Sequence, residues 1–285
     1  MKNSYIYLLR IFLFMMMSCF YTVSFSQDTL NVTQQNIAFD SGYMVSFDST
    51  KIYYEVHGSG YPVLLVHGFI VNSTSWKHTS LYDSLLAAGN KVILIDLRGN
   101  GKSDKPHNEE AYKYDAETKD IMLLMKSLNI NTYDVIGYSR GSIITARLLV
   151  WDKRIRKAVL GGMGLDFTNP QWPRRIQFYN ALTSDTVPSL HSMVQYVQQQ
   201  PGLDQQALAL LQKYQPSTPK EVLAKIKNPV LVIHGDSDID NGNADALAAI
   251  FSNGEIAITP GDHNHAAATP QFAAVVMAFL KKQEE

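Results

Sequence analysis

This 285-residue sequence predicts an α/β fold built on a mostly parallel sheet with helices over both faces. Three observations lead there. Short, continuous apolar runs at 63–66, 92–95, 133–136, 158–160 and 230–233 read as strands buried on both sides. Segments with helical apolar spacing lie between or after them, at about 81–88, 116–128, 142–151, 244–251 and 271–281. Residues able to do chemistry cluster directly after the strands, where a sheet of this kind presents its ligands. Two alternating runs, 43–47 and 51–56, read as an antiparallel pair turning at Asp48-Ser49-Thr50. A last strand near 255–258 brings the expected sheet to eight strands.

The first residues are set apart from the fold. Lys2 and Arg10 precede an almost wholly apolar stretch, 11–20, and Ser24-Phe25-Ser26 offers small residues for cleavage before Gln27. Residues 1–26 are therefore expected to be a signal peptide and 27–285 the working domain, exported to the periplasm or the cell exterior. The apolar stretch is short for a membrane span, so no stable membrane association is expected after cleavage; a retained anchor is the alternative. The one cysteine, Cys19, falls inside this leader, so no disulfide is expected in the mature chain. A formal net charge of −1 without a basic tract gives no reason to expect nucleic acid as a partner. A small-molecule substrate is expected, and the sequence leaves the oligomeric state open.

Gly137-Tyr138-Ser139-Arg140-Gly141 carries the chemistry. A serine between an apolar strand and a helix must take a strained backbone, and glycines two before and two after let neighbouring chain pass closely. A serine hydroxyl is a weak nucleophile near neutral pH and needs an imidazole to take its proton. The imidazole in turn needs a carboxylate to fix its tautomer. Candidates follow the later strands: His234-Gly235-Asp236-Ser237-Asp238, and Pro260-Gly261-Asp262-His263-Asn264-His265.

Together with His67-Gly68-Phe69 and the run from Asp96 to Ser103, these motifs in this order resemble the α/β-hydrolase superfamily over about 43–280. The resemblance implies an eight-stranded sheet flanked by helices, with a small helical cap. It implies Ser139 as nucleophile, His263 as general base and Asp238 as the acid behind it, with the backbone N–H groups of Phe69 and Arg140 as an oxyanion hole. Asp236 is the alternative acid and His265 the alternative base, both read first as loop residues. His67, Asp96, Arg98 and Asp104 read as scaffolding. The serine argues against the superfamily's haloalkane dehalogenases and epoxide hydrolases, which use aspartate there. No cofactor is implied. Asp262, His263 and His265 lack further ligands at metal-site spacing, so no metal is expected.

The side chain of Arg140 could receive a substrate carboxylate in a bidentate fork, or pair with an acid of the protein. Residues 163–225 change composition: aromatics (Phe167, Trp172, Phe178, Tyr179, Tyr196, Tyr214) alternate with glutamines and prolines. This is where the superfamily places its cap, with helices expected at 190–199 and 205–214. The resulting expectation is a carboxylic-ester hydrolase working through an acyl-enzyme. The alternatives are the same triad acting on an amide or N-terminal peptide bond, a lactone or a carbon–carbon bond, or in perhydrolysis, and a non-catalytic ligand-binding shell.

Overall fold

The computed structural model describes residues 39–184 and 186–283; the expected signal peptide lies outside them. Eight strands form one sheet: β1 Phe39–Val45, β2 Lys51–His57, β3 Pro62–Val66, β4 Lys91–Ile95, β5 Tyr133–Tyr138, β6 Ile155–Gly161, β7 Val230–Gly235 and β8 Gly254–Thr259. Their spatial order is β1-β2-β4-β3-β5-β6-β7-β8. β2 pairs antiparallel with both neighbours, and every other pairing is parallel. β1 and β2 turn where expected, with Ser49 at φ 70° and its N–H donating to Ser46 O at 3.1 Å.

The apolar strands divide their side chains by parity, as the two-residue repeat of a strand requires. Leu64, Val66, Ile93, Ile95, Val135 and Leu160 enter one core; Val63, Leu65, Val92, Leu94, Ile136 and Val159 enter the other. Helices α1 Ser80–Ala87, α2 Ala116–Ser127 and α3 Arg140–Trp151 supply the cover. α1 packs Leu81 and Leu85 on the second core, whereas α2 and α3 pack Ile121, Leu124, Ile143 and Leu148 on the first. The chain thus leaves β3 over one face to reach β4, then crosses the other face to β5. Helices that cover opposite faces diverge at that point, which opens a crevice above the carboxyl ends of β3 and β5.

Between β6 and β7 lie α4 Pro173–Ser184, α5 His191–Gln199, α6 Gln205–Lys213 and the short α7 Lys220–Leu223. Two of these were expected. α4 was not, because its proline and aromatics obscure its period; Pro173 stands at its first position, where a missing N–H costs nothing. Leu182, Val197, Leu208 and Leu211 form a third core shared with Ala111 and Tyr112. The chain ends with α8 Ala244–Ala248, β8 and α9 Pro270–Lys281. Among the described residues no helix is long and apolar enough to cross a membrane.

Arg98, with no exposed surface, knits the loop after β4 to the sheet and to α2. Its guanidinium forks onto the buried Asp120 with both bonds at 2.7 Å, and donates to Asp48 Oδ2 at 2.8 Å and to the Ala111 carbonyl. Removing one partner of such a pair strands a charge in the interior. Arg98→Met is expected to cost about 3–5 kcal/mol of unfolding free energy, read from the urea midpoint against the unsubstituted protein; a loss below about 1 kcal/mol would contradict this account.

Candidate active site

Strand β5 runs through Tyr138 and helix α3 starts at Arg140, so Ser139 alone makes the turn. The two elements approach more closely than the sequence reading placed them. Ser139 sits at φ 54°, ψ −124°, whereas Gly137 and Gly141 have no positive φ. The glycines serve close approach instead: a Cβ at Gly137 would strike the Gly141 carbonyl, and one at Gly141 the Val66 carbonyl. Held this way the serine costs about 1–3 kcal/mol. Several bonds fix it there. Ser139 N–H donates to Gly161 O at 2.8 Å, Ser142 N–H to Ser139 O at 2.9 Å, and the Ser142 hydroxyl reaches the Gly137 and Gly161 carbonyls at 3.0 and 2.7 Å.

Three of the expected side chains meet. His263 Nε2 lies 2.8 Å from Ser139 Oγ, and His263 Nδ1 lies 2.8 Å from Asp238 Oδ2. With Nδ1–H donated to the carboxylate, Nε2 carries the lone pair toward the serine. The loop bearing His263 is tied to the elbow, since Tyr138 donates its hydroxyl to His263 O at 2.8 Å and stacks at 5.5 Å against the ring. Burial works to raise the Asp238 carboxyl, but the hydrogen bonds from His263 and Asn241 outweigh it and hold the group below the ordinary aspartate range.

The alternatives lie elsewhere. Asp236 is exposed and accepts from the Gly261 N–H at 3.0 Å. His265 is exposed and pairs with Asp262 at 2.6 Å.

Asn241 was given no role by the sequence. It is buried, and its side-chain amide donates to Asp238 Oδ1 at 2.8 Å, occupying the oxygen that His263 leaves free. The same amide touches His263 Nδ1 at 2.9 Å. Its own carbonyl accepts from Gly164 N–H at 2.7 Å, which pins the β7–α8 loop beside β6. The only signal in the sequence is its place three residues after Asp238.

The loop after β3 lies against the serine; a Cβ at Gly68 would sit 3.4 Å from Ser139 Cβ. His67 is fully enclosed, and burial pushes its pKa down, more than the nearby Asp96 raises it. It accepts the Leu97 N–H at Nε2 at 3.0 Å, so Nδ1 carries the proton and donates to Gly68 O at 2.7 Å. In a trans peptide the carbonyl and the next N–H point oppositely. Holding Gly68 O therefore aims the Phe69 N–H, and Asn100 fixes the other side by donating to Phe69 O at 2.6 Å. Among the described residues neither the Phe69 N–H nor the Arg140 N–H, at the start of α3, is taken by another group. Both are free for a developing oxyanion.

The Arg140 side chain is spent within the protein. It forks onto Glu117 of α2 at 2.7 and 2.5 Å and donates to Leu211 O of α6 at 3.2 Å, which leaves no fork for a substrate carboxylate. Asp96 accepts the Ser73 and Lys102 N–H groups, and Asp104 the Lys51 N–H, so both brace loops.

A cavity of about 480 Å³ opens over the serine. The cap contributes Trp172, Phe178, Leu190 and Met193 to its wall; the other cap aromatics do not line it. Phe167 packs in the main core and Tyr214 bonds Glu109 outside. Among the described residues no group of three or more His, Cys, Asp or Glu is placed to hold a metal ion.

A sequence model of the alpha/beta hydrolase fold matches residues 61–189. The chain has the α/β-hydrolase fold. It is 40% identical over 111 residues to a Synechocystis protein provisionally named a non-heme chloroperoxidase, a stretch that spans 38% of this chain and 39% of that one. It is 26% identical over 77% of its length to a non-heme haloperoxidase of Rhodococcus erythropolis, of which it covers 91%. An esterase from Exiguobacterium antarcticum shares the fold with a TM-score of 0.71 at 20% identity, over 85% of this chain and all of that one.

Replacing Asn241 with leucine strips Asp238 of one of its two side-chain donors while keeping the volume. Turnover of an ester is expected to fall about tenfold or more, the cost of one hydrogen bond to a buried charge; the variant Asn241→Gln, which keeps the donor group, tests whether bulk alone is responsible. An unchanged rate in Asn241→Leu would remove the residue from the relay. Asp238 also makes a pH statement. Its folded pKa is depressed, so its contribution to stability is full above about 3.9 and lost as the pH falls through the folded value. Asp238→Asn is therefore expected to lower stability at neutral pH and to flatten its dependence on pH at the acid end, followed by urea unfolding between pH 7 and 3.

Proposed function

We propose that the protein is a serine hydrolase that cleaves carboxylic esters through an acyl-enzyme. One observation carries this reading: an unbroken relay from Asp238 through His263 to Ser139, each link 2.8 Å, at the floor of a largely apolar cavity. In this reading Ser139 Oγ attacks the carbonyl carbon as His263 Nε2 takes its proton. The oxyanion that forms is met by the Phe69 and Arg140 N–H groups. As the intermediate collapses, the carbon–oxygen bond to the alcohol breaks and His263 returns its proton to the leaving oxygen. Water, deprotonated by His263, then attacks the acyl carbon and frees Ser139. A cavity of about 480 Å³ suits a small or medium ester.

A second reading has its own support in the relatives named as haloperoxidases. The same acyl-enzyme can pass its acyl group to hydrogen peroxide instead of water, giving a peracid. We propose further, on the character of residues 1–26, that the enzyme works outside the cytoplasm.

A fluorophosphonate probe should label the protein and fail to label Ser139→Ala. Unlabelled, well-folded protein would point to a ligand-holding shell instead. In the labelled case, short nitrophenyl esters are expected to be cleaved with a rate that falls as the medium acidifies and the His263 base takes up a proton; a rate independent of pH between about 5 and 8 would contradict the relay. Bromination of a dye with acetate, bromide and peroxide, dependent on Ser139, would identify the second reading.

A further inference from the structure

Among its apolar side chains the cavity carries donors and cations, and no acid. Its lining includes Arg140, Arg174, Arg175 and Gln215, and not one aspartate or glutamate. The four charged or polar groups are not equivalent. Arg140 is neutralised by its fork onto Glu117. Arg174 lies over the Phe178 ring at 5.3 Å and forms no ion pair among the described residues. Arg175 is the telling one. Its terminal nitrogens hold only carbonyls: Pro170 O at 2.5 Å, Lys213 O at 3.1 Å and Gln212 O at 3.4 Å. No carboxylate of the described residues pairs with it, and burial alone pulls its pKa down, with no acid nearby to offset the penalty.

Unsatisfied donors collect around the same cavity. Among the described residues, buried side-chain nitrogens without a hydrogen-bond partner include Trp76 Nε1, Arg140 Nε, Arg175 Nε and Gln215 Nε2, and all four residues line this cavity. Leaving a buried donor unpaired is unfavourable. A guanidinium that lines the cavity without a counter-charge leaves its positive charge to an acceptor that is not part of the chain. The bland role of Arg175, capping the last carbonyls of α6, accounts for its terminal nitrogens only. It explains neither the idle Nε nor the absence of a counter-charge.

We propose that this wall receives a carboxylate, so that the preferred substrates are esters carrying an acid group in addition to the scissile bond, with Arg175 as the principal specificity residue. The inference rests on the ester-hydrolase reading and narrows it to acidic esters, such as half-esters of short dicarboxylic acids. The fork that the sequence suggested for Arg140 passes to the neighbouring cap arginine. Arg174 adds a partly exposed positive charge to the same lining, which draws anions toward it.

Two matched pairs of substrates test the idea, one for each orientation of the ester. The nitrophenyl half-ester of glutarate is compared with nitrophenyl valerate, and 4-acetoxybenzoate with phenyl acetate. In at least one pair kcat/KM is expected to favour the acidic member by about tenfold or more, the worth of a charge-assisted hydrogen bond in a partly enclosed site. That preference should fade as salt is raised. In Arg175→Met the ratio of acidic to neutral kcat/KM should drop toward one, mainly through KM, and Arg175→Lys should restore part of it. Free glutarate should slow fluorophosphonate labelling of Ser139 in the unsubstituted protein, and valeramide should do so less. A neutral preference in both pairs, or an acidic preference that survives in Arg175→Met, overturns the carboxylate site while leaving ester hydrolysis intact. Loss of all ester cleavage and of labelling in the unsubstituted protein would instead overturn the underlying reading.

Discussion

One residue in a conformation that L-amino acids avoid governs the layout of the site. Ser139 at positive φ makes the whole connection between β5 and α3. Because the turn is a single residue, the hydroxyl stands clear of both elements and the first N–H of the helix lies beside it. The strain persists because its surroundings allow nothing else. Gly161 holds the serine N–H, Ser142 ties the end of β5 to β6, and Gly137 and Gly141 let three backbones cross where any Cβ would collide. Strain of this kind costs a few kcal/mol locally and is offset by the two apolar cores that fix β5 and α3.

Around that fixed point the remaining groups are placed by hydrogen bonds rather than by packing alone. Each loop that reaches the serine is held by a buried polar side chain whose own partners are specified. His67 and Asn100 set the peptide that bears the Phe69 N–H, and Asn241 and Asp238 set the tautomer of His263. Such a network excludes alternative arrangements more sharply than an apolar one, because each slip leaves further buried groups unpaired, as Asn100 Oδ1 already is among the described residues. The apolar cavity above then weakens screening, which raises the value of every dipole aimed at the reacting carbonyl.

Much of this was legible in the chain. Apolar runs of three or four residues between helix-period segments gave the doubly covered sheet, since strands buried on both faces have no polar side to show. Ser139, His263 and Asp238 were each found by a motif after a strand, and the structure brings the three together. Other features were hidden for physical reasons. Asn241 carries no motif, because its role comes from a fold-back that places it over Asp238. The helix α4 was masked by Pro173, which is tolerated at a helix start. The partner of Arg140 could not be read either. Glu117 is 23 residues away in sequence, and only the crossing of α2 over the sheet puts it within reach.

Arg140 belongs to two machines at once. Its backbone N–H stands free at the start of α3, while its side chain clasps α2 and the end of α6. The lid and the floor of the chamber therefore share a rivet, and the lid is not an independent module. A cap borrowed from another protein of this fold would leave the pair between Arg140 and Glu117 in place, but would need to bring its own acceptor for the guanidinium donor that the Leu211 carbonyl now takes. Cap exchange, whether by recombination or by engineering, therefore has to place an acceptor where Leu211 O stands before any question of pocket shape arises.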